Sequence, residues 1–478
     1  MDFCVTVLPE KVKITVPADT NLLDALRNAG LAPDAPCGGR GTCGKCRVMV
    51  GGEEILACQT NVDRDMTVQL PMEAKAAILT DGLAVQFGGT GYSLAFDIGT
   101  TTVVGFLLDG GKELACESAR NPQAVYGADV VSRIQYALKT DGAVLTKVIR
   151  ICLTELTETL CRKAGVETSQ IRTVSIVGNP AMQQLFLGIA PENLAKIPFA
   201  PVLTEGKRVK ASKYLPVWEN AELLIVPDIS GFVGADTVAC MLATRLDAQE
   251  NWTLLVDIGT NGEMVLGNRN RLVACSTAAG PALEGANIGC GMRGQAGAID
   301  HVRLENGEME CTVIGGGKAT GICGSGLIDA AAAALELGLI NARGRVQTEN
   351  RNIPLTDGIV LTQDDIRQLQ LAKGAIAAGI RLMAEHLEIE LEAIRKVYLA
   401  GAFGTFMDPE SACRIGLLPQ ELAGKIQAIG NAAGSGAKML ACNPSALEYA
   451  QTLVEKTEFL ELASVEDFQF AFAENMRF

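Results

Sequence analysis

The chain is short of positive charge and of long apolar runs. Asp and Glu outnumber Lys and Arg by 55 to 41, so the net charge is −14. Nucleic-acid backbones and anionic membranes bind basic surfaces, which argues against both as partners. No run approaches the roughly 20 apolar residues that span a bilayer, and the N-terminus shows neither part of a signal peptide. We therefore expect a cytoplasmic protein that binds a small molecule or another protein.

Histidine is also scarce, since His301 and His386 are the only two. His386 falls in a charged helical pattern and is expected on a solvated face, whereas His301 follows Asp300 and could contact a partner. Cysteine is plentiful, with 15 residues. In a large chain without an export signal, most of these are expected to be buried thiols, as at Cys240.

Four cysteines are grouped near the N-terminus with the spacing C-x5-C-x2-C-x11-C. Thiolates in such a group can hold an Fe–S cluster or zinc. Three cysteines on one glycine-rich loop with a distant fourth favour a [2Fe–2S] cluster, whereas zinc sites usually use two close pairs. Glycines in the loop let backbone N–H groups face the sulfides. The predicted cluster ligands are Cys37, Cys43, Cys46 and Cys58.

The pattern around these cysteines predicts a small domain. Phe3 to Val7 and Val12 to Val16 alternate with a period of two, as in a hairpin. A helix should follow, capped by Asp19 or Thr20 and ended by Gly30. Residues 1 to about 72 resemble a ferredoxin domain with the β-grasp fold. Residues 73–90 end in a glycine run and are predicted to form a flexible linker.

An internal repeat organises the rest of the chain. A short apolar strand ends in Asp97-Ile98-Gly99-Thr100-Thr101, and the pattern recurs at Asp257-Ile258-Gly259-Thr260-Asn261. Glycine lets backbone N–H groups approach phosphate, hydroxyls can donate to it, and aspartate can hold Mg²⁺ through water. A single copy could be a plain strand followed by a turn. Two copies in a common register favour two loops that bind one polyphosphate; we call residues 97–101 the first loop and 257–261 the second loop.

Further strands and helices with small residues surround these loops. Strand-to-turn patterns and glycine-rich helix starts alternate along the chain, which predicts an α/β architecture with two similar halves. Two helices of small residues could form a pivot between the halves. A third glycine-rich helix start, at Gly324 and Ser325, could bind an anion or a ribose. The prediction rests on segments 174–179, 223–227, 234–246, 321–329, 397–404 and 430–437.

This order of loops and helices resembles the superfamily of actin, sugar kinases and heat-shock ATPases, with an RNase H-like fold. The resemblance covers residues 91–478 and implies lobe I at about 91–250 and 445–478, and lobe II at about 251–444. It implies catalytic roles for Asp97 and Asp257. The implied nucleotide-binding residues are Gly99, Thr100, Thr101, Gly259, Thr260, Asn261, Gly401, Ala402 and Gly404.

A ferredoxin domain followed by such an ATPase domain is similar to the reductive activators of corrinoid proteins. That resemblance implies a [2Fe–2S] cluster, ATP and Mg²⁺, and the reduction of Co(II) cobalamin to Co(I) in a methyltransferase system. Its implied partners are a corrinoid protein and an upstream electron donor, and it leaves a homodimer open. The alternatives are activation of another low-potential redox enzyme, a redox-sensing binding module, and a small-molecule kinase. A dehydratase activator is disfavoured by the cysteine group from Cys37 to Cys58.

Overall fold

The computed structural model describes residues 2–9, 11–33, 35, 39–41, 44–71, 80–84, 88–140, 142–259, 261–356 and 358–478, the side chain of Ala402 excepted. None of the helices within these ranges is long and apolar enough to cross a membrane.

The N-terminal domain has the predicted β-grasp fold. Its five-stranded sheet has the order β2-β1-β7-β4-β5, in which β1 and β7 run parallel. Helix α1 buries Leu22, Leu23 and Leu26 against this sheet. Asn21 caps the helix by accepting from Leu23 N at 3.1 Å, so the cap is neither Asp19 nor Thr20 as predicted. The elements are β1 (Asp2–Leu8), β2 (Val12–Pro17), β3 (Thr20–Asn21), α1 (Leu22–Asn28), β4 (Arg47–Val50), β5 (Glu53–Leu56), β6 (Asn61–Val62) and β7 (Met66–Gln69).

A six-stranded sheet with the order β10-β9-β8-β11-β13-β12 forms the centre of the first lobe. Strands β8, β9 and β10 form an antiparallel meander, and β11 and then β13 add in parallel on the side of β8. The elements are β8 (Tyr92–Ile98), β9 (Thr102–Asp109), β10 (Lys112–Arg120), α2 (Val130–Thr140), α3 (Ala143–Ala164), β11 (Ile171–Gly178), α4 (Pro180–Leu187), β12 (Lys207–Lys210), β13 (Glu222–Ile225) and α5 (Ala235–Thr244).

The second lobe repeats this arrangement. Its six-stranded sheet has the order β23-β22-β14-β15-β16-β24, with the same antiparallel meander followed by two parallel strands. The elements from residue 253 onward are β14 (Thr253–Ile258), β15 (Gly262–Gly267), β16 (Leu272–Thr277), β17 (Ala298–Glu305), β18 (Glu308–Val313), β19 (Gly321–Ile322), α6 (Gly324–Glu336), β20 (Asn352–Thr356), β21 (Ile359–Thr362), α7 (Gln363–His386), β22 (Lys396–Ala400), α8 (Gly401–Phe406), α9 (Pro409–Arg414), β23 (Ile426–Gly430), α10 (Ala432–Cys442), α11 (Ala446–Lys456), β24 (Thr457–Phe459) and α12 (Phe468–Asn475). Helices α10 and α11 lie in this stretch of sequence but pack on the first lobe.

The two helices of small residues pack against each other, as α5 and α10. A Cβ added to Gly436 would lie 2.1 Å from Ala239 O, so only glycine permits this approach. Helix α10 also packs on β8 and β11, and Ser175 Oγ donates to Ala437 O at 2.6 Å. Core residues of both sheets, such as Ala95 and Val265, pack in one cluster with these two helices, so the helix pair lies at the junction of the two lobes.

The lobe boundaries differ from the prediction near the C-terminus. Because α10 packs on the first sheet, the chain returns to the first lobe at Ala432 rather than at residue 445. Strand β24 then pairs with β16, and α12 packs on α7. The assignment of residues 457–478 to lobe I is therefore wrong, since they join the second lobe.

The predicted linker is only partly described. Residues 73–79 and 85–87 lie outside the described residues. Between them, Asp81 O accepts from Asn431 N at 2.8 Å and Leu83 O accepts from Ser435 Oγ at 3.2 Å. This middle part of the segment is therefore attached to the start of α10 rather than free.

Candidate functional site

Both predicted phosphate loops are turns of β-hairpins, and the second turn is one residue shorter than the first. Each connects two antiparallel strands, β8 to β9 and β14 to β15. Gly99 N donates to Thr102 O at 2.9 Å, and Gly259 N donates to Asn261 O at 2.8 Å. The repeat in the sequence is therefore a repeat of hairpins in space. Thr260 lies outside the described residues.

Side chains from three elements support the first loop. Asn121 Nδ2 donates to Gly99 O at 2.8 Å, and the fully buried Arg133 donates through Nη2 to Thr100 O at 2.5 Å. Asn179, the N-cap of α4, donates to Thr100 Oγ1 at 3.2 Å. Burial lowers the pKa of Arg133 to about 10, so the guanidinium stays charged near neutral pH. The loop backbone is thus fixed by donors from outside the hairpin.

The second loop is supported by its own neighbours. Asp257 pairs with Ala400 at the end of β22, which brings the predicted nucleotide-binding residues Gly401, Ala402 and Gly404 beside it. We call residues 401–404 the adenosine loop. Gly401 has φ +82°, and a Cβ there would lie 2.6 Å from Asp257 Oδ1. Glycine is required at this position for both reasons. Gly404 approaches the backbone in the same way, since a Cβ there would lie 3.0 Å from Leu399 Cβ.

Five carboxyl groups crowd the space between the loops, which we call the cleft. Burial, together with the charges of Asp236 and Asp257, raises the pKa of Asp97 to about 7, although a hydrogen bond from Asn431 lowers it. Burial and the charge of Asp236 raise the pKa of Asp257 to about 7. For the same main reason the pKa of Asp236 rises to about 6, and those of Asp228 and Glu263 rise well above their usual range. Such crowding favours a bound cation, which would offset the repulsion.

No group of three or more His, Cys, Asp or Glu side chains within the described ranges is arranged to ligate a metal ion directly.

One hydrogen bond links the first loop to the other lobe across the cleft. Thr101 Oγ1 donates to Glu284 Oε2 at 3.3 Å. The other carboxylate oxygen of Glu284 faces the second loop, because a Cβ on Gly259 would lie 4.0 Å from Glu284 Oε1. Glu284 therefore lies between the two loops, where a polyphosphate held by both would pass.

Gly324 and Ser325 lie beside the adenosine loop, but the Ser325 side chain is already hydrogen-bonded. A Cβ on Gly324 would lie 1.8 Å from Leu283 O and 2.8 Å from the Phe403 ring. The Ser325 hydroxyl is buried and donates to Asp300 O at 2.8 Å. Ser325 could therefore serve a ligand through its backbone but not through this hydroxyl.

A cavity of about 600 Å³ adjoins the adenosine loop. It is lined by α6, by α8 with the neighbouring turn, and by β17, and the Phe406 side chain is 54% exposed. His301 lines it too, with Nδ1 2.9 Å from Asp329 Oδ2, and its contact with a partner stays a prediction. His386 is likewise paired, with Nε2 2.7 Å from Glu458 Oε1.

The described part of the cysteine group fits a cluster. Ala57 N donates to Cys46 O at 2.9 Å, which brings the backbone of Cys46 next to the segment that carries Cys58. Gly39, Gly41 and Gly44 all have positive φ, between +63° and +93°. Gly41 has φ +77°, a backbone conformation that L side chains rarely adopt, so glycine is favoured there. Cys37 and Cys43 lie outside the described residues.

Six polar residues of the cleft were not predicted from the sequence. All except Arg133 and Glu284 stand in or beside a segment that the sequence had singled out, but no repeat or spacing marked any of the six. The strongest available signal was a lone acid in a helix of small residues, at Asp236. The missed residues are Arg133, Asp228, Asp236, Glu263, Glu284 and Asn431.

Comparisons with known protein families cover nearly the whole chain. Residues 5–69 match the 2Fe-2S iron-sulfur cluster binding domain. Residues 92–249 match the RACo middle region, and residues 251–478 match the C-terminal ASKHA domain of RACo.

Relatives and a solved structure agree with these matches. The corrinoid activation enzyme RamQ of Eubacterium limosum is 35% identical over 419 residues, which cover 81% of this chain and 70% of that protein. The [Co(II) methylated amine-specific corrinoid protein] reductase of Methanosarcina barkeri is 29% identical over 79% of this chain and 75% of its own length. The structure of a reductive activator for corrinoid, iron-sulfur protein superposes with a TM-score of 0.71 at 28% identity, covering 99% of this chain and 98% of that one.

Proposed function

The chain belongs to the family of corrinoid activation enzymes, and we propose that it uses ATP to drive the one-electron reduction of a Co(II) corrinoid to Co(I) on a partner protein. The observation that carries the proposal is the cleft between the two loops, joined by the Thr101–Glu284 hydrogen bond, on the same chain as a β-grasp domain with Cys46 and Cys58. One chain thus combines an ATPase site with an electron carrier.

The ATP phosphates bind between the two loops. The hydroxyls of Thr100, Thr101 and Thr260 are the donors. Gly99 and Gly259, whose N–H groups close the two turns, leave room for the phosphate oxygens to approach. Asp97 and Asp257 hold Mg²⁺ through its waters. Their raised pKa values support this role, because a divalent cation in the cleft would stabilise the charged carboxylates.

The adenosine end of ATP extends towards Gly401, Ala402 and Gly404. The cavity beside α8 has room for a purine, and the exposed ring of Phe406 offers a stacking surface. Gly324 packs closely against Phe403, so it lines the adenosine end of the site.

Cys37, Cys43, Cys46 and Cys58 ligate one [2Fe–2S] cluster, which supplies a single electron. A plant-type cluster has a potential of roughly −400 mV. The resemblance implies a Co(II)/Co(I) couple that lies lower, so the transfer is uphill, and each ~59 mV costs about a factor of ten for one electron. ATP can offset this only if it binds one docked state of the two proteins better than another.

The partner in this account is a corrinoid protein of a methyltransferase system, and an upstream donor reloads the cluster. The reaction belongs in the cytoplasm, where ATP is available. A homodimer is a further expectation, which light scattering of the purified protein would test.

The test is an anaerobic assay with the cluster-loaded full chain, a Co(II) corrinoid protein and a low-potential chemical donor. We expect Co(I) absorption to appear with Mg·ATP and not with a non-hydrolysable analogue. Cys58→Ser should abolish Co(I) formation while ATP hydrolysis continues, and Cys4→Ser, in the same domain but outside the cluster group, is the matched control. If the same amount of Co(I) forms without ATP, reduction of the corrinoid is not coupled to ATP hydrolysis. That result would favour the alternative of a purely redox module.

A further inference from the structure

The cluster domain contacts the ATPase domain at two described points. Arg27 Nε, at the end of α1, donates to Val125 O at 2.6 Å. Lys45 Nζ, in the cysteine loop, lies 3.4 Å from Gly291 O. Arg27 is only 8% exposed, and a Cβ on Gly39 would lie 3.5 Å from its Nη1. Arg27 therefore touches the cysteine loop on one side and the first lobe on the other.

The Arg27 contact leads directly to the first loop. Val125 closes the 3-10 turn Pro122–Val125, which Asn121 caps. Asn121 N donates to Thr101 O at 2.9 Å, and its side chain donates to Gly99 O. A shift of Thr101 is therefore transmitted to Val125 through one short turn.

The Lys45 contact leads to Glu284. Gly291 lies against the residue that follows Glu284, because a Cβ on Gly291 would lie 2.1 Å from Gly285 O. A Cβ added to Gly285 would in turn lie 2.3 Å from Met292 O. This tight backbone packing makes Glu284 and Gly291 move together.

The Arg27 contact is therefore linked to Thr101 and the Lys45 contact to Glu284, which are the two partners of one hydrogen bond. Phosphate oxygens need the Thr101 hydroxyl as a donor, and they repel the Glu284 carboxylate. A bound polyphosphate must therefore separate this pair, and the positions of Val125 O and Gly291 O then change relative to each other. A rigid domain that contacts both cannot keep both hydrogen bonds.

We propose that the cluster domain is docked across the cleft by Arg27 and Lys45, and that ATP, by displacing Glu284 from Thr101, releases it. The inference rests on the proposed function and adds a switch to it. ATP then decides when the cluster can leave the ATPase domain and reach the corrinoid.

The direct test is hydrogen exchange of the cluster-loaded full chain during a titration with the Mg complex of a non-hydrolysable ATP analogue, with binding measured in parallel by calorimetry. We expect exchange of the α1 and Pro122–Val125 amides to rise as the analogue binds. Binding without any rise overturns the release and leaves the proposed function intact. Absence of binding overturns the proposed function itself.

Linkage gives a second test. If docking opposes nucleotide binding, a variant that weakens docking must bind the analogue more tightly, by roughly fivefold or more. Arg27→Ala should show this, and Lys45→Ala repeats the test should Arg27→Ala destabilise the small domain. Arg64→Ala changes an exposed arginine of the same domain and is the control. Equal or weaker binding in folded Arg27→Ala and Lys45→Ala overturns the proposal.

Discussion

Polar side chains from outside its hairpin hold the first loop, whereas a glycine backbone from outside its hairpin packs against the second loop. Asn121, Arg133 and Asn179 reach the first loop from three different elements. The second loop rests on the backbone of Gly401, which directly abuts Asp257. Hairpin turns at corresponding places in the two sheets are thus fixed either by distant polar side chains or by close backbone packing. In the first arrangement Asn121 links the loop to the turn that Arg27 contacts, so docking of the cluster domain can affect the loop.

Loss of either loop carboxylate should have the largest effect. We expect Asp97→Ala and Asp257→Ala each to lower kcat for ATP hydrolysis by roughly 10²-fold or more, because each removes a charge aimed at the reacting phosphates. The visible spectrum of the cluster should not change. Asp109→Ala, at the exposed far end of β9, is the control. A variant of one loop that keeps normal turnover would mean that the loops do not share a nucleotide.

Arg133→Met should weaken the first loop alone. It leaves the carbonyls of Thr100 and Gly127 without the donors that now satisfy them, at a cost of about 1.5–3 kcal/mol for hydrogen bonds to a charged group. We expect a higher KM for ATP, together with a lower Tm. Arg162→Met, on the exposed end of α3, provides the comparison. An unchanged KM would show that the first loop does not need this outside support.

Gly401→Ala should disturb the second loop by strain. Alanine would have to adopt φ +82° and place its Cβ 2.6 Å from Asp257 Oδ1. We expect a loss of about 1–3 kcal/mol of unfolding free energy, measured by denaturant titration. Gly424→Ala has a similar positive φ with no atom within 4 Å of the added Cβ, so it reports the backbone cost alone. If both variants lose the same unfolding free energy, the contact of Gly401 with Asp257 does not contribute to the stability of the second loop.

The smallest effect is expected in the pH dependence of stability. Asp97 and Asp257 have pKa values of about 7 and Asp236 of about 6, above the value of about 3.9 for an unfolded aspartate. The folded state therefore holds more protons in this window, and these groups make it less stable as pH rises from about 4 to 7. Mg²⁺ should raise the Tm more at pH 8 than at pH 5, and Asp97→Asn should reduce that difference. A Mg²⁺ effect that is the same at both pH values in both proteins would contradict a cation between these carboxylates.

Local patterns predicted much of the fold. The two hairpins, the β-grasp strands and the helices of small residues could be read from short stretches because spacing and side-chain size determine them. The end of the second lobe was assigned wrongly, since β24 has only three residues and its pairing with β16 leaves no pattern in the sequence.

The polar contacts of the cleft could not be read in the same way. Thr101 and Glu284 are 183 residues apart in sequence, and Arg27 and Val125 are 98 apart. Each pair is created by the packing of whole lobes or domains. A carboxylate or guanidinium in a single sequence looks the same whether it faces solvent or a partner across a cleft.

The most direct test of the account is a double-mutant cycle on the equilibrium binding of a non-hydrolysable Mg·ATP analogue. Calorimetry on the wild type, Asp97→Asn, Asp257→Asn and the double variant gives both stoichiometry and affinity. We predict one nucleotide per chain, a loss of affinity in each single variant, and a double variant that loses clearly less than the sum, because both carboxylates act on one hydrated cation. Fully additive losses, or two nucleotides per chain, would contradict a single site built from both loops.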